Sequence, residues 1–173
     1  MPPLSQQDRF VALVDEHRKI LFKIAGSYAR QGADREDLVQ EMVLQMWRSF
    51  ERYDPEQRFS TWMYRVALNV AISFHRRETR RSRVIVSGDE TLIELAAAPG
   101  EMPVEELDTL RRMIEGLNEF DRALVILYLD GNTYADIAAV LGISESNVGT
   151  KLSRIKQQLR TDYAGKETRH GTR

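Results

Sequence analysis

Cysteine is absent from all 173 residues, which excludes disulfides, zinc ribbons and thiol catalysis. No apolar run approaches the ~20 residues that a membrane-spanning helix needs. The opening Met1-Pro2-Pro3-Leu4-Ser5 lacks a signal peptide's apolar stretch, so a cytoplasmic protein is expected. His17, His75 and His170 are scattered, with no metal-ligand spacing such as HExxH, so no metal or other cofactor is expected. No segment alternates convincingly between apolar and polar residues as a half-buried strand does. What is present is 42% hydrophobic and 29% charged residues, enough for one or two modest helical cores.

A net charge of −1 argues at first against a nucleic-acid partner. The average hides segregation. The stretch from Arg76 to Arg83 is strongly basic, and so is the chain from Lys151 onward. Between them lie Asp89, Glu90, Glu94, Glu101, Glu105, Glu106 and Asp108, with no Lys or Arg from Val84 to Leu110.

The periodicity predicts an all-α chain. Phe10, Leu13, Val14, His17, Ile20, Leu21, Ile24 and Tyr28 form the apolar stripe of a first helix that stops near Gly32. Asp34 is placed to cap a second, which buries Leu38, Met42, Val43, Met46 and Phe50, with Trp47 assigned mainly to the core. Ser60 opens a third helix. Three helices can close one small bundle. Pro99, Gly100 and Pro103 then break any helix before Val104. Four helical segments follow, Val104 to Leu117, Glu119 to Leu129, Tyr134 to Leu141 and Glu145 to about Leu159, and the end reads as frayed. The expected organisation is two small helical domains, residues 1–83 and 104–163, joined by a flexible acidic linker over 84–103 and followed by a tail over 164–173.

The third helix has two faces with different demands. Met63, Val66, Ala67, Val70, Ala71 and Phe74 make an apolar stripe, while Arg65, Asn69, Ser73 and Arg76 make a polar one. Trp62 and Tyr64 stand at its start, and Arg76, Arg77, Arg80 and Arg81 at its end. Stacking rings beside guanidinium groups suit a nucleic-acid strand with accessible bases, and a core indole is the competing reading for Trp62.

In the second domain Thr133 caps one short helix and Gly142 turns the chain into the next, with Ile143 buried at the corner and Ser144 capping again. This is a helix-turn-helix pattern, whose second helix would lie in the major groove. Its exposed face carries Ser146, Asn147, Thr150, Lys151 and Arg154, side chains that reach base edges or phosphates. Lys156 and Arg160 add charge for phosphates.

At this point the residues are recognisable. Asp37-Leu-Val-Gln-Glu-Met-Val-Leu-Gln-Met-Trp47 and Phe59-Ser-Thr-Trp-Met-Tyr-Arg-Val-Ala-Leu-Asn69 resemble region 2 of bacterial sigma factors. Leu117-Asn-Glu-Phe-Asp-Arg-Ala-Leu-Val-Ile-Leu127, followed by Thr133-Tyr-Ala-Asp-Ile-Ala138, resembles region 4. The short linker is similar to that of the extracytoplasmic-function (ECF) group of the sigma-70 family.

The resemblance implies a subunit that joins core RNA polymerase and directs promoter-specific initiation. Asp37, Gln40, Glu41 and Gln45 would dock on the β′ clamp helices. Phe59, Ser60, Trp62, Arg65 and Asn69 would capture an unstacked base of the −10 element, with Arg76, Arg77, Arg80 and Arg81 following the strands. The face with Ser146, Asn147, Thr150, Lys151 and Arg154 would read the −35 element, while its neighbours contact the β flap. The acidic linker would run toward the RNA exit path. An anti-sigma partner is implied too. Two departures stand out: Gly149 replaces a residue that is commonly basic in the family, and the loop Asp54-Pro-Glu-Gln-Arg58 lacks a Gly often found near Gln57.

Two other classes fit the residues less well. A repressor or activator that binds duplex DNA without polymerase does not need the aromatic and basic third helix. An enzyme would need more than Asp37 and Glu41, which lie i, i+4 on one face with no His or second acidic pair. No enzymatic activity is expected.

Overall fold

The computed structural model describes residues 5–82 and 104–170. They fall into two compact units, one on either side of the stretch between them. The expected linker over 84–103 lies outside the described residues.

The first unit contains α1 (Gln6–Tyr28), α2 (Gly32–Ser49), a short 3₁₀ turn (Phe50–Arg52) and α3 (Phe59–Ser82). Ser5 and Asp8 form a reciprocal capping box that opens α1. The helix ends at Tyr28, earlier than Gly32, because Ala29 turns extended (φ −109°, ψ 131°). Arg35 Nε donates to the Ala29 carbonyl at 3.3 Å and helps hold the reversal. Gly32 therefore begins α2 rather than ending α1. The N-cap position is Gln31, without a side-chain bond, and Asp34 sits in the first turn instead of capping. A carboxylate there still meets the positive end of the helix dipole.

Each of these three helices packs on the other two. Leu21 and Ile24 of α1, Leu38, Met42 and Met46 of α2, and Met63, Ala67, Leu68 and Ala71 of α3 form the buried centre. Fully burying a side chain of the Leu or Met class contributes about 1.5–3 kcal/mol, so this stripe sets the position of α3. Val43 is only half-buried. Trp47 corrects the sequence reading more sharply: it is 40% exposed. Its ring edges the core, 5.1 Å from Phe10 and 6.5 Å from Phe50, while its other side is open.

The second unit contains α4 (Val104–Glu115), α5 (Glu119–Leu129), α6 (Tyr134–Leu141) and α7 (Glu145–His170). Asn118 caps α5 by accepting from the Phe120 and Asp121 amides. The buried Arg122 reaches back to the end of α4, donating to the carbonyls of Glu115 at 2.6 Å and Leu117 at 3.2 Å. A guanidinium there satisfies carbonyls that a helix C-terminus leaves over. Leu124, Leu127, Ile137, Val148, Leu152 and Ile155 fill the core. α7 is much longer than the expected Glu145 to Leu159, and the segment read as frayed continues the helix to His170.

Candidate nucleic-acid interface

The start of α3 is set by a built loop. Tyr53 donates from its hydroxyl to the Gln57 carbonyl at 2.7 Å, and Asp54 accepts from the Glu56 amide at 3.0 Å. The Gln57 amide donates to the Asp54 carbonyl at 3.0 Å. These bonds give the loop its shape without a glycine near Gln57.

Around that loop, Phe50, Tyr53, Phe59 and Trp62 pack ring against ring, with centroids 5.2–6.2 Å apart. His17 stands 5.4 Å from Phe59. Phe59 and Trp62 are 6% and 7% exposed. Both rings are wall, not open stacking platforms, and Ser60 beside them is half-buried. Tyr64 is buried as well.

What α3 leaves in the open is its polar stripe. Arg65, Asn69, Ser73, Arg76 and Arg80 recur at helical spacing along one line, and all are exposed. Ser73 donates to the Asn69 carbonyl at 2.8 Å, within the helix itself. Arg77 lies off this line. Its Nη2 donates to both carboxylate oxygens of Glu41 on α2, at 3.1 and 3.0 Å.

The α2 face is likewise open, with Asp37, Gln40, Glu41 and Gln45 exposed around Leu44. Beside it runs an apolar groove that sequence reasoning missed, lined by Phe10, Val11, Gln40, Val43, Leu44 and Trp47. The signal was the apolar types at 43, 44 and 47, too many residues for one buried stripe.

In the second unit the expected corner forms. Thr133 and Asp136 make a capping box at the start of α6. Gly142 adopts φ 69°, ψ 34°, a left-handed conformation that costs glycine little, and both it and Ile143 donate to the Ala138 carbonyl. Ile143 is half-buried, less than expected. Ser144 accepts from the Asn147 amide at 3.2 Å and so caps α7.

Ser146, Asn147, Thr150 and Arg154 are exposed on one face of α7. Lys151 is half-buried and turns aside, its Nζ 5.2 Å from the centre of the Phe120 ring. That cation–π contact holds the ammonium toward α5. Lys156 is similarly engaged, donating to the Tyr128 hydroxyl at 2.9 Å. Among the described residues no group of three or more His, Cys, Asp or Glu side chains is placed to hold a metal ion. No described helix is long and apolar enough to cross a membrane.

An exposed polar stripe beside an aromatic wall, and a helix-turn-helix in a second unit, coincide with two family profiles. Sigma-70 region 2 matches residues 13–81, and sigma-70 region 4 matches residues 107–159. The chain belongs to the sigma-70 family. It is a sigma factor of the ECF group, and it acts in promoter-specific initiation of transcription through RNA polymerase.

Among its relatives is the RNA polymerase sigma factor CnrH of Cupriavidus metallidurans, 28% identical over 165 residues, covering 88% of this chain and 85% of the relative. The ECF RNA polymerase sigma factor SigW of Bacillus subtilis is 26% identical, covering 89% of this chain and 88% of that protein. The fold is similar to that of the sigma factor RpoE of Bartonella quintana, solved in complex with the anti-sigma factor NepR. The TM-score is 0.68 at 20% identity, covering 90% of this chain and 94% of that one.

Proposed function

We propose that the two units of this sigma factor divide promoter recognition, residues 1–83 serving polymerase docking and the −10 element, and residues 104–163 the −35 element. The observation that carries this reading is the exposed line of Arg65, Asn69, Ser73, Arg76 and Arg80 on a helix whose opposite face is core. Such a helix is held rigidly and can meet a separated strand without reorganising. Asn69 and Arg65 hydrogen-bond an unstacked base, and Arg76, Arg77, Arg80 and Arg81 follow phosphates. Phe59 and Trp62 act as the wall that shapes the receiving site, with Ser60 at its lip.

Asp37, Gln40, Glu41 and Gln45 dock on the β′ clamp helices of core polymerase. Ser146, Asn147, Thr150 and Arg154 face the −35 major groove, and Lys151 approaches from the flank held by Phe120. The neighbouring surface of the second unit meets the β flap. The acidic segment over 84–103 follows the path toward the RNA exit. The protein has no chemistry of its own and works in the cytoplasm, where an anti-sigma partner holds it until it is needed.

The test mixes the purified chain with sigma-free core polymerase and genomic DNA fragments and sequences transcript 5′ ends. Discrete starts sharing upstream −35 and −10 elements, absent with core alone, are expected. Folded protein that gives no starts with active core overturns the reading and favours a regulator of duplex DNA.

A further inference from the structure

α5 presents two aromatic rings to the lysines of α7. Phe120, the second residue of α5, is half-buried, and its amide donates to the Asn118 cap at 3.1 Å, which fixes where the ring begins. The Lys151 ammonium stands 5.2 Å from the centre of that ring. Among the described residues no hydrogen bond or ion pair engages Lys151, so the ring is what holds its charge. About two turns further along α5, Tyr128 holds Lys156 in the same manner. That ammonium lies 4.2 Å from the ring centre and 2.9 Å from the hydroxyl oxygen.

The place of Lys151 on α7 gives its capture a consequence. It lies one helical turn after Asn147 and one before Arg154, both exposed on the side proposed to face the bases. Its ammonium carries three donors on a flexible stem, and a lysine reaching a base edge pairs with O6 and N7 of guanine. Held toward α5, it leaves that side to Ser146, Asn147, Thr150 and Arg154.

We propose that Phe120 is a positioning residue for −35 recognition, its ring keeping Lys151 on the flank of α7 and a guanine-reading amine off the base edges. The proposal rests on α7 being the −35 reader. Specificity is a difference between affinities, so withholding a donor that rewards guanine shapes it as much as adding one that reads another base. A cation–π contact open to solvent favours the held position roughly two- to fivefold.

The experiment uses the full chain with core polymerase. The probe is a promoter mapped with that same holoenzyme, randomised over its −35 element, and start-site usage gives the preference at each position. Phe120→Leu keeps apolar bulk without a ring and is expected to raise the preference for guanine at one position roughly two- to fivefold. Phe120→Met serves equally if the leucine variant does not fold. The gain is expected to vanish when Phe120→Leu is combined with Lys151→Gln. Phe120→Trp, which offers the ammonium a better ring face, is expected to retain the wild-type profile. A wild-type profile in a folded ringless variant overturns the proposal. So does a gain that persists with Lys151→Gln, because the ring then acts by shaping α5 and not through the lysine. A wild-type holoenzyme with discrete starts but no preference anywhere in the −35 element overturns instead the reading of α7 beneath it.

Discussion

Arg77 on α3 grips Glu41 on α2 through a single guanidinium nitrogen, 3.1 and 3.0 Å from the two carboxylate oxygens. The bond joins a residue of the proposed DNA-facing helix to a residue of the proposed polymerase-facing helix. The two surfaces therefore share an edge on the first unit. With the side chains 57% and 46% exposed, solvent screens the pair.

A double-mutant cycle with Glu41→Gln and Arg77→Gln is accordingly expected to give a coupling of about 0.2–1 kcal/mol in urea unfolding, falling with added salt. A coupling of several kcal/mol would show that the pair holds the unit together. Arg77→Gln alone is expected to weaken holoenzyme binding to promoter DNA while leaving the unfolding midpoint nearly unchanged.

Trp62 separates two roles that its residue type leaves open. Its ring lies 5.2 Å from Tyr53 and 5.4 Å from Phe59, and it is 7% exposed. Trp62→Ala is expected to cost about 3–5 kcal/mol of stability, the range for deleting a buried aromatic side chain. Urea denaturation followed by circular dichroism measures it. An unchanged midpoint together with lost promoter opening would make the indole an open stacking ring instead.

Periodicity made the seven described helices legible, because a stripe at helical spacing marks which face must leave water. The same logic placed Met42 and Met46 in the core and Arg65 and Asn69 outside it, as observed. It failed at Trp47, whose size suggested burial although it sits at the edge of the α2 stripe. It also leaves Trp62 undecided, since a ring's type does not say whether a loop such as 53–58 folds over it. Gly32 reads as a helix stop and the end of the chain as frayed, yet neither Gly32 nor Gly165 has a positive φ and both lie in helices. The approach of the Tyr134 ring on α6 to Gly149 on α7 is illegible because it joins residues of two helices, and Gly149 looks like a lost contact when read alone.

Gly149→Ala is a test of that last point from the stability side. The new methyl group would make an ordinary contact of 3.4 Å with Tyr134. Replacing glycine inside a helix is expected to stabilise the protein by about 1 kcal/mol, seen as a raised melting temperature of the second unit. A lowered one would show that the ring cannot yield even that much.

Arg154 is exposed on the α7 face opposite the core. Arg154→Ala is expected to relax preference at one position of the −35 element by about 1–3 kcal/mol, the range of one bidentate base contact. Comparing start-site usage across a library of randomised −35 sequences reads this directly. An unchanged preference with uniformly weaker binding would reassign Arg154 to a phosphate.

The most direct measurement compares Asn69→Ala with Glu41→Ala in two assays on one mapped promoter: retention by core polymerase, and permanganate reactivity of thymines in the −10 region. Asn69→Ala is predicted to keep core binding and lose most of the reactivity. Glu41→Ala is predicted to weaken core binding, with reactivity restored at higher protein concentration. Equal loss of both activities in Asn69→Ala would contradict the division of labour between the faces of α2 and α3.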